Sequence, residues 1–296
     1  MSDEAAEVFE QYRGLLFGVA YRMLGSASEA DDVVQETWLR WDRADRSQIS
    51  ESRAYLVRIT ARVAVDQLRR ASARREDYVG PWLPEPLLTT PDVADGVVDE
   101  AATGEAVSIA MLVVLETLSP LERAVFVLRE AFGLGFGEIA TALGRSESAV
   151  RQLGHRAREH VHARRPRFNT DRAARSAATE RFLTAALGGD LAELMAVLAP
   201  DVAFVGDSGG KVRAPRRVLR GANKVARLFA ARASDFPAGT VIDYCDVNGE
   251  PAAVAAIADG PYAVFVLDVD PRTELVTTIY VMGNPDKLGA LAQRGR

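Results

Sequence analysis

The sequence predicts a multidomain fold: two all-helical modules, the second a helix-turn-helix, followed by an α+β domain shaped as a cone. Three observations carry this reading. Apolar residues recur at helical spacing to about residue 165, a proline-containing stretch at 79–105 interrupts them, and four valine-rich runs separated by turn residues close the chain. Helices followed by an antiparallel meander indicate an α+β domain, a curved sheet wrapped around helices with an internal cavity.

Residues 5–24 predict the first helix, with Val8, Phe9, Tyr12, Leu15, Leu16, Val19 and Met23 on one stripe and Gly25 at its end. A second helix starts near Ser28. Its packing side carries Val33, Val34, Thr37, Trp38 and Trp41, and its polar side Asp31, Asp32, Gln35, Glu36 and Arg40. Acids near a helix amino terminus are favoured by the macrodipole, so stability alone accounts for them. The third helix, about Ser52 to Arg70, is apolar at Leu56, Ile59, Val63 and Leu68 and strongly basic elsewhere.

The interruption at 79–105 reads as a linker, because proline denies helix continuation and biases the residue before it towards extended backbone. It nevertheless contains Trp82, Leu83, Pro84 and Leu87. Such apolar groups would be left wet in a plain spacer, so WLPEPL at 82–87 is expected to dock on a folded surface.

Helices resume near Ala106. Within 136–158, Ala140 permits a close helix crossing, Gly144 supplies the positive φ of a tight turn, and Val150 faces inward. Ser146 is placed to cap the second helix. From there Val150, Gly154, Ala157 and Val161 form one apolar stripe, while Ser148, Arg151, Gln152, His155, Arg156 and Arg158 remain for the outside. Basic and amide side chains opening a second helix are what major-groove entry requires, and an ordinary core helix pair with a solvated basic face is the alternative.

Beyond about 168 the composition changes. Two short helices, 176–187 and 191–199, precede a strand at 201–206, a helix over GANKVARLFAARAS, and strands at 240–247, 252–258, 262–269 and 274–281. Asn248-Gly249, Asp259-Gly260-Pro261 and Asp270-Pro271 supply the turns.

Charge and cysteine usage narrow the function. A net charge of −5 argues against a protein that coats nucleic acid indiscriminately, yet arginines cluster at 53–75 and 145–167. Two basic surfaces on an acidic chain suggest two DNA contacts of modest affinity. The single cysteine, Cys245, fits a reducing cytoplasm, and neither a leader nor a membrane span is expected.

Together the first two modules resemble a bacterial extracytoplasmic-function sigma factor over about 1–165, most specifically in DDVVQETWLRW at 31–41. By that resemblance Asp32, Gln35, Glu36 and Trp38 contact RNA polymerase core. The basic helix reads and opens the promoter −10 element through Arg62, Asp66, Arg69 and Arg70, although spacing does not say which of them touches a base. The helix-turn-helix binds the −35 element, with Arg151 the foremost base reader, Gln152 able to read adenine, and Arg156 and Arg158 on phosphates. The extension resembles a SnoaL-like domain of the NTF2-like superfamily, fused to one subgroup of these sigma factors. WLPEPL, DSGGK at 207–211 and NPDKL at 284–288 match signature strings of that subgroup, except that Ser208 stands where glycine is usual. The resemblance implies an intramolecular regulator, with Asp207, Gly209, Gly210, Lys211, Asn284, Pro285, Asp286, Lys287 and Leu288 contacting the sigma modules or the linker.

Enzymatic function is not expected. All three histidines, His155, His160 and His162, fall in the helix-turn-helix segment and leave the cone without one. Asp243, Tyr244, Tyr262, Asp268 and Tyr280 are the remaining acid–base candidates, more simply read as solvated acids and core tyrosines. Neither a metal cluster nor a cofactor motif is present in the sequence. The cavity leaves room for a small-molecule ligand, so a metabolite-responsive helix-turn-helix regulator is the alternative to a sigma factor.

Overall fold

A computed structural model of the chain describes residues 2–89, 107–164, 171–289 and 291, side chains excepted at 2, 3 and 72–76. The linker residues 90–105, Arg165 and Arg167, and the side chains of Arg74 and Arg75, lie outside that description. The chain divides into two compact units, a helical one drawn from Met1–Glu76 and Met111–Arg165 and an α+β one drawn from Asp77–Asp92 and Pro166–Arg296.

In the helical unit, α1 (Ser2–Leu24), α2 (Ala27–Asp42) and α3 (Ser52–Glu76) pack on one another. Gly25, at φ +67°, stops α1, and the Ser26 side chain caps α2 by accepting from the Glu29 amide at 3.2 Å. The second helix therefore begins slightly earlier than Ser28, because the cap is Ser26. The third runs on to Glu76, past the expected Arg70, since SARRE contains neither glycine nor proline to stop it. Between α2 and α3 the buried Thr37 and Thr60 hydroxyls meet at 3.2 Å, and the Trp41 indole donates to the Ala5 carbonyl at 2.9 Å. Burying a side chain such as Leu16, Leu56 or Leu68 stabilises by roughly 1.5–3 kcal/mol each, so the apolar stripes hold this bundle together.

After α4 (Ile109–Glu116), α5 (Pro120–Phe126) opens with a capping box in which Ser119 and Glu122 satisfy each other's amides and Pro120 supplies the first turn. A π-helical turn, Val127–Ala131, leads to α6 (Phe136–Leu143) and α7 (Glu147–Arg164).

The α+β unit contains α8 (Arg172–Gly188), α9 (Leu191–Val197) and α10 (Ala222–Arg232) against one seven-stranded sheet. Its strands, in chain order, are β1 (Leu88–Thr89), β2 (Leu198–Asp207), β3 (Leu219–Arg220), β4 (Val241–Val247), β5 (Glu250–Ile257), β6 (Gly260–Val269) and β7 (Val276–Met282), and their order in the sheet is β1-β4-β5-β6-β7-β2-β3. The meander β4 to β7 is antiparallel, as expected, but β2 closes on β7 in parallel. That pairing has no local turn signal because 68 residues lie between the two strands. Phe182, Leu183, Val202, Phe204, Phe229, Phe265, Leu267 and Ile279 form the core between helices and sheet, where Phe229 meets Phe182 and Phe204 edge-on at 4.9 and 5.5 Å. The first helix of this unit begins at Arg172 rather than 176, and β2 at Leu198 rather than 201.

Candidate functional site

On α2, Val33, Val34, Thr37 and Trp41 are buried, leaving Asp32 and Gln35 exposed and Glu36 half-exposed. Glu36 also holds Arg40 at 2.9 Å. Trp38 is half-buried, its ring edge-on to Phe9 at 5.1 Å, so part of its role is packing. Leu39, 45% exposed, falls on the same stripe as Asp32, Gln35 and Glu36 and gives it an apolar centre that sequence reading did not single out.

On α3, Arg69 pairs with Asp66 at 3.1 Å and Arg70 is exposed. Arg62 is already engaged. Its Nε donates to the Ala142 carbonyl at 2.5 Å and its terminal nitrogen to the Thr141 carbonyl at 3.0 Å. These carbonyls end α6, where the macrodipole is negative and backbone acceptors are left without helical donors. The −10 candidate thus holds the helix-turn-helix directly, and a cleft of about 590 Å³ lined by Tyr55, Arg58, Glu138 and Thr141 lies beside the contact.

In the helix-turn-helix, Gly144 has φ +62° and ends α6, as the tight turn demands. The Ser146 side chain accepts from the Ala149 amide at 3.3 Å. Val150, Gly154, Ala157 and Val161 are the buried residues of α7, matching the stripe read from spacing. A Cβ on Gly154 would come within 3.1 Å of the Phe136 ring and 3.4 Å of Val125, which explains a glycine in mid-helix. Ser148, Arg151, Gln152, His155, Arg156 and Arg158 are all exposed. Arg151 stacks 5.0 Å over Phe136 and pairs with Glu147; Arg156 holds Glu122 and Arg158 holds Glu130, each at 2.8 Å. Burial opposes the charge of Glu122, but hydrogen bonds from Ser119 and Arg156 outweigh it and keep the carboxyl below its usual range. The arginines are therefore pre-ordered on carboxylates that a phosphate would have to replace.

The linker strings meet on the α+β unit. Asp207, 1% exposed, accepts from the Tyr78 hydroxyl at 2.5 Å, the Leu83 amide at 2.8 Å and the Lys287 ammonium at 2.7 Å. Lys287 also donates to the Leu83 carbonyl and lies 4.0 Å from the Trp82 ring centre. Asn284 donates to the Tyr78 oxygen at 2.8 Å, and Lys211 binds Asp286. Burial, together with the neighbouring Asp207, pushes the Tyr78 phenol well above its usual pKa, so it stays a donor. Further along, Leu87 and Asn248 exchange two hydrogen bonds, at 3.0 and 2.8 Å, and Leu88–Thr89 adds an edge strand to β4. Leu83 and Pro84 are buried and Trp82, Leu87 and Leu88 half-buried, so WLPEPL docks as its apolar content required.

Each signature string has a physical part in this. Gly209 has φ +56°, and a Cβ there would lie 2.5 Å from Asn284 Nδ2; a Cβ on Gly210 would lie 3.1 Å from Val79. Ser208 is tolerated in place of glycine because its hydroxyl turns inward to accept from the Gly210 amide at 3.3 Å. Asn284 caps the turn Pro285–Lys287 by accepting from the Asp286 amide at 3.1 Å, and Leu288 is buried. Tyr78 and Thr89 escaped sequence reading, and Asn248 reads from the sequence only as a turn residue, not as a partner of Leu87.

A cavity of about 550 Å³ enters the α+β unit, lined by Phe204, Leu228, Phe229, Tyr262, Phe265 and Val281, with Arg213 and Arg232 also on its wall and Asp207 at one side. The acid–base candidates Asp268 and Tyr280 are not among its lining residues. They pair at 3.3 Å on the strand face opposite Leu267 and Ile279, whose side chains enter the core. Burial, with Glu250 adding to it, pushes the Asp268 carboxyl up to about 6 against the pull of Arg175 and Tyr280. Among the described residues no group of three or more His, Cys, Asp or Glu could hold a metal, and no helix is long and apolar enough to cross a membrane.

These surfaces fit one class of protein. The Sigma-70 region 2 family matches residues 8–74 and the Sigma-70 region 4 family matches 108–161, which makes the helical unit that of a sigma factor. Over 287 residues the chain is 38% identical to the ECF RNA polymerase sigma factor SigJ of Mycobacterium tuberculosis, covering 94% of this chain and 91% of that one. It is 33% identical over 293 residues to the probable ECF RNA polymerase sigma factor SigI of the same species, covering 98% and 96%. The crystal structure of Mycobacterium tuberculosis SigJ matches at a TM-score of 0.75 and 34% identity, covering 96% of this chain and 98% of that one. The chain belongs to the extracytoplasmic-function RNA polymerase sigma factors. A metabolite-responsive repressor is not favoured by these matches.

Proposed function

We propose that residues 1–78 bind polymerase core and the −10 element, 79–105 form a linker, 106–167 bind the −35 element, and 168–296 regulate initiation by holding or releasing that linker. Asp32, Gln35, Glu36 and Trp38 form the core contact. Arg62, Asp66, Arg69 and Arg70 act on the −10 strand, while Ser148, Arg151, Gln152 and His155 face −35 base edges and Arg156 and Arg158 its phosphates. This assigns the chain to the cytoplasm, where polymerase works.

The observation that carries the regulatory reading is the convergence of Tyr78, Leu83 and Lys287 on one buried carboxylate, Asp207. Tyr78 follows the end of α3 by two residues, so docking removes 78–89 from the tether joining the two DNA-binding modules. Released and extended at about 3.3–3.6 Å per residue, that stretch adds up to about 40 Å of reach. Such a clasp biases initiation by its differential affinity for the docked and polymerase-bound arrangements. The cavity wall includes Asp207, so a small, largely apolar ligand bound there would act on the clasp; of the five acid–base candidates only Tyr262 lines the wall, and its hydroxyl is bonded to Thr240 at 2.9 Å, which favours binding over catalysis.

Transcription by polymerase core with wild-type protein and with Asp207→Asn and Lys287→Gln tests this. Altered promoter output with faster proteolysis at 78–89 is expected. Unchanged output despite faster proteolysis there removes regulation through the linker.

A further inference from the structure

Along 211–232, KVRAPRRVLRGANKVARLFAAR, the chain carries eight lysines and arginines and no acid, whereas the rest holds twenty-eight such cations against forty-one acids. The segment forms one lobe of the α+β unit. Lys211 is tied to Asp286 at 2.5 Å, the Arg232 guanidinium donates to the Arg213 carbonyl at 2.7 Å, and between them β3 pairs with β2 and leads directly into α10. Loop, strand and helix are thus fastened into a single surface.

Arg216, Arg217, Arg220, Lys224 and Arg227 are exposed on that surface, and among the described residues their side chains have neither an ion pair nor a hydrogen bond. Exposed arginines elsewhere are mixed: Arg151, Arg156, Arg158 and Arg172 each hold a carboxylate, whereas Arg43, Arg53, Arg145 and Arg181 have no ion pair among the described residues, so what marks 216–227 is the gathering of five such cations in one stretch without an acid. Local stability gives no reason for that gathering. Lys224 sits in the first turn of α10, which contains no acid, at the end where the macrodipole disfavours a cation. Solubility gives none either, since interspersed charges serve it without mutual repulsion.

We propose that this lobe is a third DNA-binding surface, gripping phosphates of duplex DNA without reading bases. Guanidinium groups dominate it, and their planar fork matches two phosphate oxygens at once. On a chain of net charge −5, a polyanion is approached only where cations are concentrated. Duplex DNA is also the polyanion a sigma factor works on, and once the helix-turn-helix is seated a tethered basic lobe meets it at high effective concentration. The inference rests on the family and not on the assignment of any −35 or −10 residue.

The test is binding of the full-length protein to a promoter duplex and to a duplex of arbitrary sequence across a salt series. A variant carrying Arg216→Gln, Arg217→Gln, Lys224→Gln and Arg227→Gln is compared with wild type and with one carrying Arg216→Lys, Arg217→Lys and Arg227→Lys. Each neutralised phosphate contact flattens the log–log salt slope by about 0.9, so the glutamine variant is expected to lose about 2 to 4 of slope and at least about tenfold of affinity on both duplexes. The lysine variant keeps the slope, and capture by polymerase core is unchanged in both. Equal slope and affinity in wild type and glutamine variant overturn the proposal and point to an acidic protein partner. Should the glutamine variant fold poorly, photo-crosslinking of unmodified protein to the duplex decides: crosslinks within 211–232 support the surface, and their absence from that stretch removes it.

Discussion

The Lys287 ammonium lies 2.7 Å from the Asp207 carboxylate, with the two side chains 7% and 0% exposed. Removing one member of such a pair leaves the other charge buried alone, at a cost of about 3–5 kcal/mol. Lys287→Met is therefore expected to lower the unfolding midpoint of the α+β unit and speed proteolysis between 78 and 89, measured by calorimetry and by mass spectrometry of early fragments. Tyr78→Phe, which loses only the phenol bonds, should give a smaller effect of about 1–2 kcal/mol.

Arg62 joins two helical modules by donating to the Thr141 and Ala142 carbonyls. Charged hydrogen bonds of this kind contribute about 1.5–3 kcal/mol in total or less when partly solvated, enough to bias the modules but not to lock them. Arg62→Ala is expected to broaden the distance between spin labels on α3 and α7 in the free protein while weakening promoter opening. An unchanged distance distribution would show that the modules are held by other contacts.

Gly154 is set by the Phe136 ring and Val125 rather than by backbone conformation. Gly154→Val overpacks that crossing and should destabilise the helix-turn-helix by about 1–3 kcal/mol, seen as a lower midpoint and lost −35 binding together. Gly144→Val strains a residue at φ +62° and should lower the midpoint without any clash.

Arg151 is expected to separate base reading from phosphate binding. Arg151→Gln should reduce affinity for the preferred −35 duplex by about 1–3 kcal/mol and flatten discrimination among sequences, whereas Arg156→Gln should weaken all duplexes alike. Competition binding against a randomised −35 library reads both.

Asp268 gives a pH signature. Its carboxyl is raised to about 6 in the folded protein, so the folded state binds its proton more tightly than the unfolded state does. The stabilising contribution of that proton is complete below about 4 and fades as pH rises through about 6. Asp268→Asn should accordingly raise stability by about 1–2 kcal/mol at pH 7.5, after allowing for partial exposure, and by little at pH 4. An equal gain at both values would contradict the assignment.

The helix-turn-helix was legible because everything that makes it is local. Gly144 turns the chain, Ser146 caps the next helix, and Val150, Gly154, Ala157 and Val161 recur at helical spacing, so the buried stripe of α7 could be read directly. The β4–β7 meander was legible for the same reason, through Asn248-Gly249 and the other turn residues. The pairing of Arg156 and Arg158 with Glu122 and Glu130 was not, since those acids lie 34 and 28 residues away.

Sequence by itself determined the main helices, the strands of the β4–β7 meander, the family and the need for WLPEPL to be covered, because periodicity, turn chemistry and uncovered apolar side chains are properties of neighbours in the chain; the short strands β1 and β3 lacked any such signal. Tertiary structure alone decided where the linker docks and what Arg62 holds. Tyr78 reaches Asp207 across 129 residues and Lys287 reaches Leu83 across 204. A buried carboxylate selects its donors by their distance in space, and position along the chain carries no record of that distance until the β2–β7 closure brings them together.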